Sequence, residues 1–225
     1  LIKSKKSKIN SLIKFDSSFS DNIIIGLDEA GRGPGAGDVF AAGVYFPEIT
    51  KGLKKDLSKL DDSKQLSAKI REELAILIKK NSIYSISRGS IDEIETINIL
   101  QTSLLSMKRS ALAVLEQIQI QIQIQIQNKE PLLLIDGNKL IKDFEIKQQF
   151  VVKGDGKSLS IAAASILAKT ERDDYMIELA EKHPEYDWQN NKGYLTPKHL
   201  EAIDKYGITP YHRKSFLTKQ LKLIF

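Results

Sequence analysis

The sequence predicts a single α/β domain with a helical C-terminal extension, and three observations carry that prediction. Short β-branched or apolar runs alternate with longer segments of helical periodicity. Three of the runs end in an acid beside a glycine-containing turn, as strands do when their ends build a site. With 41% apolar and 28% charged residues over 225 positions, the composition is that of a globular chain able to bury a sizeable core.

The elements follow in order. Ile23 to Leu27 is a β-branched run reaching Asp28-Glu29, and after a glycine-rich turn Val39 to Phe46 reads as a second buried strand. Ser67 is a suitable N-cap for a helix from Ala68 to Lys80, and Ile83 to Ser87 alternates as a third strand. Ser90 opens a helix whose apolar face runs through Ile97, Leu100, Leu104, Met107 and Leu115. Leu132 to Ile135 and Phe150 to Val152 read as strands, and Ser160 to Glu181 as a long helix whose Ala162, Ala163 and Ala164 permit close packing on a sheet. Thr196-Pro197 starts another helix that stops near Gly207.

Gln117 to Gln127 breaks the pattern by alternating Gln and Ile. Period-two alternation favours a strand, whereas as a helix the run would spread its isoleucines around the axis. Because it continues from a strong helical stretch, helix propagation stays open. The segment is read as a low-complexity insertion without chemistry, since Gln and Ile offer no acid, base or metal ligand.

No apolar run approaches the roughly 18 residues of a membrane span, and the lysine-rich start lacks the apolar stretch of a secretory signal. The absence of cysteine excludes disulfides and thiolate metal sites and fits a cytoplasmic protein. The net charge of +5 is unevenly placed: residues 1–15 carry +5, residues 16–191 carry −5 and residues 192–225 carry +5. An acidic centre between basic ends fits a carboxylate-built site flanked by phosphate-attracting segments. The expected organisation is a flexible basic tail over 1–20, a catalytic domain over 21–191 and a substrate-contacting helical extension over 192–225.

The sharpest signal is Asp28-Glu29-Ala30-Gly31-Arg32-Gly33-Pro34 at a strand end. An isolated Asp-Glu pair is ordinarily an exposed acidic turn. Where the chain turns at a strand end, both carboxylates can converge on a hard cation, and Arg32 supplies a cationic donor for phosphate or sugar. Gly31-x-Gly33-x-x-Ala36 also admits a dinucleotide loop, but the adjacent acids repel a pyrophosphate and Pro34 is awkward in the helix start that motif needs. Asp136 ends the fourth run and precedes Gly137-Asn138, and Asp155 lies in Lys153-Gly154-Asp155-Gly156 after the fifth. Such a set of four acids, with no Cys and only three His, suits Mg²⁺ or Mn²⁺ rather than zinc, and two-metal phosphoryl chemistry is the natural use.

These motifs stand in one order with Asp62-Ser63-Lys64-x-Leu66-Ser67, Ala163-Ala164-Ser165-Ile166-Leu167-Ala168-Lys169, Lys192-Gly193-Tyr194-x-Thr196 and His212-Arg213-x-Ser215-Phe216. The whole, over roughly residues 23–217, resembles bacterial ribonuclease HII, a type 2 ribonuclease H. The resemblance implies a ribonuclease H-like fold, a central mixed β-sheet flanked by helices. It also implies endonucleolytic cleavage of RNA in RNA–DNA hybrids and at ribonucleotides embedded in duplex DNA, leaving 5′-phosphate and 3′-hydroxyl ends. Asp28, Glu29, Asp136 and Asp155 match the family's metal-binding catalytic carboxylates. Gly31, Arg32 and Gly33 match the loop that reads the 2′-hydroxyl, which distinguishes RNA from DNA. Tyr194 matches the tyrosine packing on the junction sugar, and Lys64 a phosphate contact. The related ribonuclease HIII pattern lacks the arginine and adds an N-terminal domain, for which there is no room before Ile23.

Two positions depart from the family pattern. Asp38 stands where a proline is usual and adds an acid near the site, and Gln65 replaces a second lysine. Asp38 and the Gln-Ile run motivate the alternative of a catalytically idle hybrid-binding module. His183, His199 and His212 are read as structural or phosphate-contacting, with His199 the best placed for an accessory role, and Asp173 as a partner in a structural salt bridge. The chain ends Gln220-Leu221-Lys222-Leu223-Ile224-Phe225, which resembles peptides that dock on bacterial sliding clamps through Gln220, Leu221, Leu223 and Phe225. A monomer is expected.

Overall fold

The computed structural model describes residues 2–60, 66–122 and 129–221. Lys64 and Gln65, residues 123–127 of the Gln-Ile run, and Leu223 and Phe225 lie outside the described residues. After an N-terminal helix α1 (Ile2–Ser17) come strands β1 (Asn22–Ala30) and β2 (Val39–Tyr45), helices α2 (Lys51–Asp56) and α3 (Ala68–Asn81), and strand β3 (Ile83–Gly89). Helix α4 (Ile91–Ile122) leads to strands β4 (Glu130–Asp136) and β5 (Lys147–Val151), and the long helix α5 (Leu159–Lys182) follows. The C-terminal part is helical: α6 (Trp188–Asn191), α7 (Pro197–Tyr206) and α8 (Lys214–Leu221).

Among the described residues the strands form one mixed sheet in the order β3-β2-β1-β4-β5. The β1–β2 and β2–β3 pairs are antiparallel, and β1–β4 and β4–β5 are parallel. Both faces are covered, which is why β1, β2 and β4 read as nearly continuous apolar runs rather than alternating ones. On one face α5, through Ala163, Ala164 and Leu167, packs with Leu74 and Ile78 of α3 against Ala42 and Val44. On the other, Leu104, Met107, Ala111 and Val114 of α4 pack against Ile25, Leu27, Leu133 and Ile135. Ser67 caps α3, its Oγ accepting from the Ile70 N–H, and Thr196 caps α7 in the same way toward His199.

One expectation is corrected and one left open is decided in part. Residues 1–20, expected as a flexible tail, contain α1, which buries Ile9 and Leu12 and sends Asp16 Oδ2 to accept the Ser160 N–H at 2.8 Å. Ile9, Leu12 and Ile13 fall on one face of that helix, which charge counting alone does not register. Of the two conformations left open for the Gln-Ile run, its described part is helical: α4 continues into it as far as Ile122, with Ile118 buried and Ile120 exposed. An established helix adds each further residue at little cost, so propagation outweighs the strand preference of the alternating pattern.

Candidate active site

The register of the sheet builds the site. Leu27 pairs with Ile135 across the parallel β1–β4 ladder, so the next residues, Asp28 within β1 and Asp136 at the end of β4, stand side by side. Asp136 is also paired with Val151 of β5, from which a short turn leads to Asp155. Asp28, Glu29, Asp136 and Asp155 line one cavity of about 530 Å³ together with Gly31, Arg32, Gly33 and Tyr194. Glu29 belongs to β1, which runs on to Ala30 rather than ending at the acids.

Asp28 is buried, and its Oδ1 accepts the Glu29 N–H at 2.7 Å. Desolvation, followed by the charges of Glu29, Asp136 and Asp155, raises its pKa well above the ordinary carboxylate value. Asp136 Oδ1 accepts the Gly154 N–H at 2.6 Å. Arg32 Nη1 lies 3.2 Å from Glu29 Oε1, with about half of its side chain in solvent. Among the described residues no three acids close around one point as they do around a bound ion. The donor set nevertheless fits a hard divalent cation: all oxygen, pooled at one sheet edge, with a buried carboxylate whose charge its neighbours oppose.

The glycine-rich loop is held from below. Gly31 has φ +102, and a Cβ there would meet Arg172 Nε at 2.1 Å, so the loop lies directly on that guanidinium. Buried Arg172 donates through Nε to the Asp38 carbonyl, through Nη1 to that of Lys192 and through Nη2 to that of Ala36. The Tyr194 side chain stands beside Gly33, whose added Cβ would lie 3.4 Å from its Cε1.

Sequence reasoning missed several cavity-lining groups. Ser165, Lys169, Arg172 and Asp173 fall on one face of α5, a spacing visible in the sequence as i, i+4, i+7 and i+8. Asp173 makes the expected structural ion pairs, with Arg71 Nη2 at 2.9 Å and with Lys169. Asp38, expected as an extra acid near the site, is instead buried away from the cavity, where its Oδ1 accepts the Ile91 N–H and Arg88 lies 3.6 Å away. His199 and His212 are buried in the aromatic cluster of the C-terminal part. No helix follows the glycine loop as a dinucleotide site requires, because Ala36 bridges to His212 and β2 begins at Val39.

The family model described as ribonuclease HII matches residues 25–219. The chain belongs to the ribonuclease HII family. It is 50% identical over 203 residues to ribonuclease HII of Parabacteroides distasonis, covering 89% of this chain and 94% of that one. To the Fusobacterium nucleatum ribonuclease HII it is 44% identical over 214 residues, covering 95% and 93%. The structure of ribonuclease HII from Archaeoglobus fulgidus, solved in complex with PCNA, is similar with TM-score 0.62 and 25% identity, covering 85% of this chain and 94% of that one. A Bst ribonuclease HIII in complex with Mn²⁺ shares the fold, with TM-score 0.70 and 17% identity over 93% of this chain and 72% of that one.

As a ribonuclease HII, the chain is an endoribonuclease acting on RNA–DNA hybrids, of a divalent-metal-dependent family. The idle alternative is not favoured, since Asp38 is outside the cavity and the described part of the insertion, up to Ile122, continues α4. Among the described residues no helix is long and apolar enough to cross a membrane.

Proposed function

We propose that this ribonuclease HII also cleaves at single ribonucleotides embedded in duplex DNA, leaving 5′-phosphate and 3′-hydroxyl ends, with Mg²⁺ or Mn²⁺ held by Asp28, Glu29, Asp136 and Asp155 in the substrate complex. The supporting observation is the shared cavity, which sets four carboxylates against a glycine loop and an exposed tyrosine. When bound, a pair of such ions neutralises the carboxylates and supplies Lewis-acid stabilisation of charge on the phosphate. Asp136 is fixed for that task by the Gly154 N–H, and Asp28 by the Glu29 N–H. Arg32, paired loosely with Glu29 and half in solvent, is free to turn toward the sugar-phosphate at the junction. Backbone groups of Gly31 and Gly33 approach the ribose without a Cβ in the way, and the Tyr194 ring covers the sugar.

The deciding experiment cleaves a hybrid and a duplex carrying one ribonucleotide with Mg²⁺, with Mn²⁺ and with EDTA. Cleavage of both substrates that EDTA abolishes is expected. Hybrid cleavage with an uncut single-ribonucleotide duplex refutes the junction activity.

The protein is further proposed to act as a cytoplasmic monomer and to dock on a sliding clamp through Gln220, Leu221, Leu223 and Phe225. The archaeal relative solved with PCNA supports the docking proposal. Titration of a labelled 214–225 peptide against a purified clamp tests it, and absence of saturable binding removes it.

A further inference from the structure

His212-Arg213 touches neither carboxylates nor cavity, yet the two residues reach both sides of the ribose-reading apparatus. Arg213 is fully buried and donates through Nε to the Gly37 carbonyl at 2.8 Å and through Nη1 to the carbonyl of Pro34 at 2.8 Å and that of Arg32 at 3.4 Å. Its own N–H donates to the Gly35 carbonyl at 2.8 Å, and the Gly37 N–H donates to Tyr211. The glycine loop is thus bound along its length to the residues around Arg213.

His212 reaches the other side through a second imidazole. The Thr209 N–H donates to His212 Nδ1 at 2.9 Å, which places the proton of a neutral His212 on Nε2. That nitrogen lies 3.1 Å from His199 Nε2, and His199 Nδ1 lies 2.9 Å from the Tyr194 carbonyl. A carbonyl only accepts, so the His199 proton is on Nδ1 and its Nε2 receives both His212 and the Trp188 N–H at 3.0 Å. Burial lowers both imidazole pKa values, that of His212 to about 4, which keeps the pair neutral and the direction of the chain fixed. The path Thr209–His212–His199–Tyr194 ends on the backbone of the residue whose ring stands over Gly33.

We propose that His212 and Arg213 are a positioning pair for ribose recognition: Arg213 fixes the glycine loop, His212 acting through His199 fixes Tyr194, and two adjacent residues thereby set the separation of the two reading elements. The inference rests on the role given above to Tyr194 and the loop.

A double-mutant cycle on the single-ribonucleotide duplex tests this, with melting temperature recorded for every variant. His212→Leu removes the Nε2 donor and is expected to lower kcat at least tenfold with KM within twofold. His212→Gln carries an amide N–H near the Nε2 position and is expected to recover kcat to within threefold of the native enzyme. In a Tyr194→Ala background, His212→Leu is expected to cost less than a further twofold. Losses that multiply in the double variant overturn the proposal, because a purely structural histidine adds its effect regardless of Tyr194. Should the leucine variant fail to fold, His212→Asn keeps the acceptor for Thr209 and lacks the Nε2 donor; native kcat in that variant overturns the proposal equally. A Tyr194→Ala enzyme with native kcat removes the ribose-reading role itself, a result distinct from a slowed Tyr194→Ala combined with multiplying losses.

Discussion

Asp136 Oδ1 accepts the Gly154 N–H at 2.6 Å, joining the end of β4 to the turn that carries Asp155. This bond makes one unit of two acids that are nineteen positions apart in the sequence. Gly154 also sits tightly: an added Cβ would lie 2.6 Å from Ile161 Cδ1 and 3.1 Å from Asp136 Oδ1.

Gly154→Ala is therefore expected to displace the Asp136 carboxylate and to overpack Ile161. Cleavage of a hybrid is expected to fall at least tenfold, with a stability loss of about 1–3 kcal/mol by chemical denaturation. Native activity in this variant would show that the turn relaxes without moving the acid.

Asp28 separates function from stability. Asp28→Asn and Asp136→Asn are both expected to abolish cleavage of a single-ribonucleotide duplex while retaining binding. The buried Asp28 charge is opposed by Glu29, Asp136 and Asp155, whereas an amide keeps the acceptor for the Glu29 N–H. In EDTA, Asp28→Asn is accordingly expected to melt higher than the native protein, by on the order of 1 kcal/mol of stability. Thermal melts with and without EDTA check this.

Arg32 contacts Glu29 only loosely, so its removal leaves the acids in place. Arg32→Ala is expected to lower kcat/KM for the single-ribonucleotide duplex by tenfold or more and for the hybrid by less. Parallel kinetics on the two substrates provide the ratio, and equal losses remove Arg32 from junction recognition.

His212 gives the protein an acid-labile C-terminal part. Its folded-state pKa is lowered to about 4 by desolvation and then by His199. The unfolded chain, titrating near 6.5, binds more protons between those values, so stability is fully present above about pH 6.5 and is lost as pH falls toward 4. Denaturation at pH 7 and pH 4.5 is expected to show a smaller loss in His212→Gln than in the native protein, by about 1–2 kcal/mol. Equal losses place the acid sensitivity elsewhere.

Asp38 shows what the departures from the family pattern mean physically. Ser90 and Glu93 already form a capping box at the start of α4, with Ser90 Oγ accepting the Glu93 N–H and Glu93 Oε2 accepting the Ser90 N–H. Asp38 satisfies a third orphan donor there, the Ile91 N–H. A sequence shows that an acid lies five residues beyond Gly33 but not that the chain has turned away from the carboxylates by then.

The sequence by itself determined the order of the five strands with α3, α4, α5 and α7, the α/β class, the caps at Ser67 and Thr196, and the acids that line the cavity. Those features rest on local periodicity and on residue chemistry, and both are written in the order of the residues. Only the tertiary structure decided that α1 packs on the core, that α4 continues into the Gln-Ile run as far as Ile122, and that Asp38 serves α4 instead of the site. It also brought Arg172 and Arg213 under the glycine loop and His199 and His212 behind Tyr194. The reason is distance along the chain: Arg213 binds the Pro34 carbonyl 179 residues away, and no local pattern encodes which backbone oxygen a buried guanidinium will find.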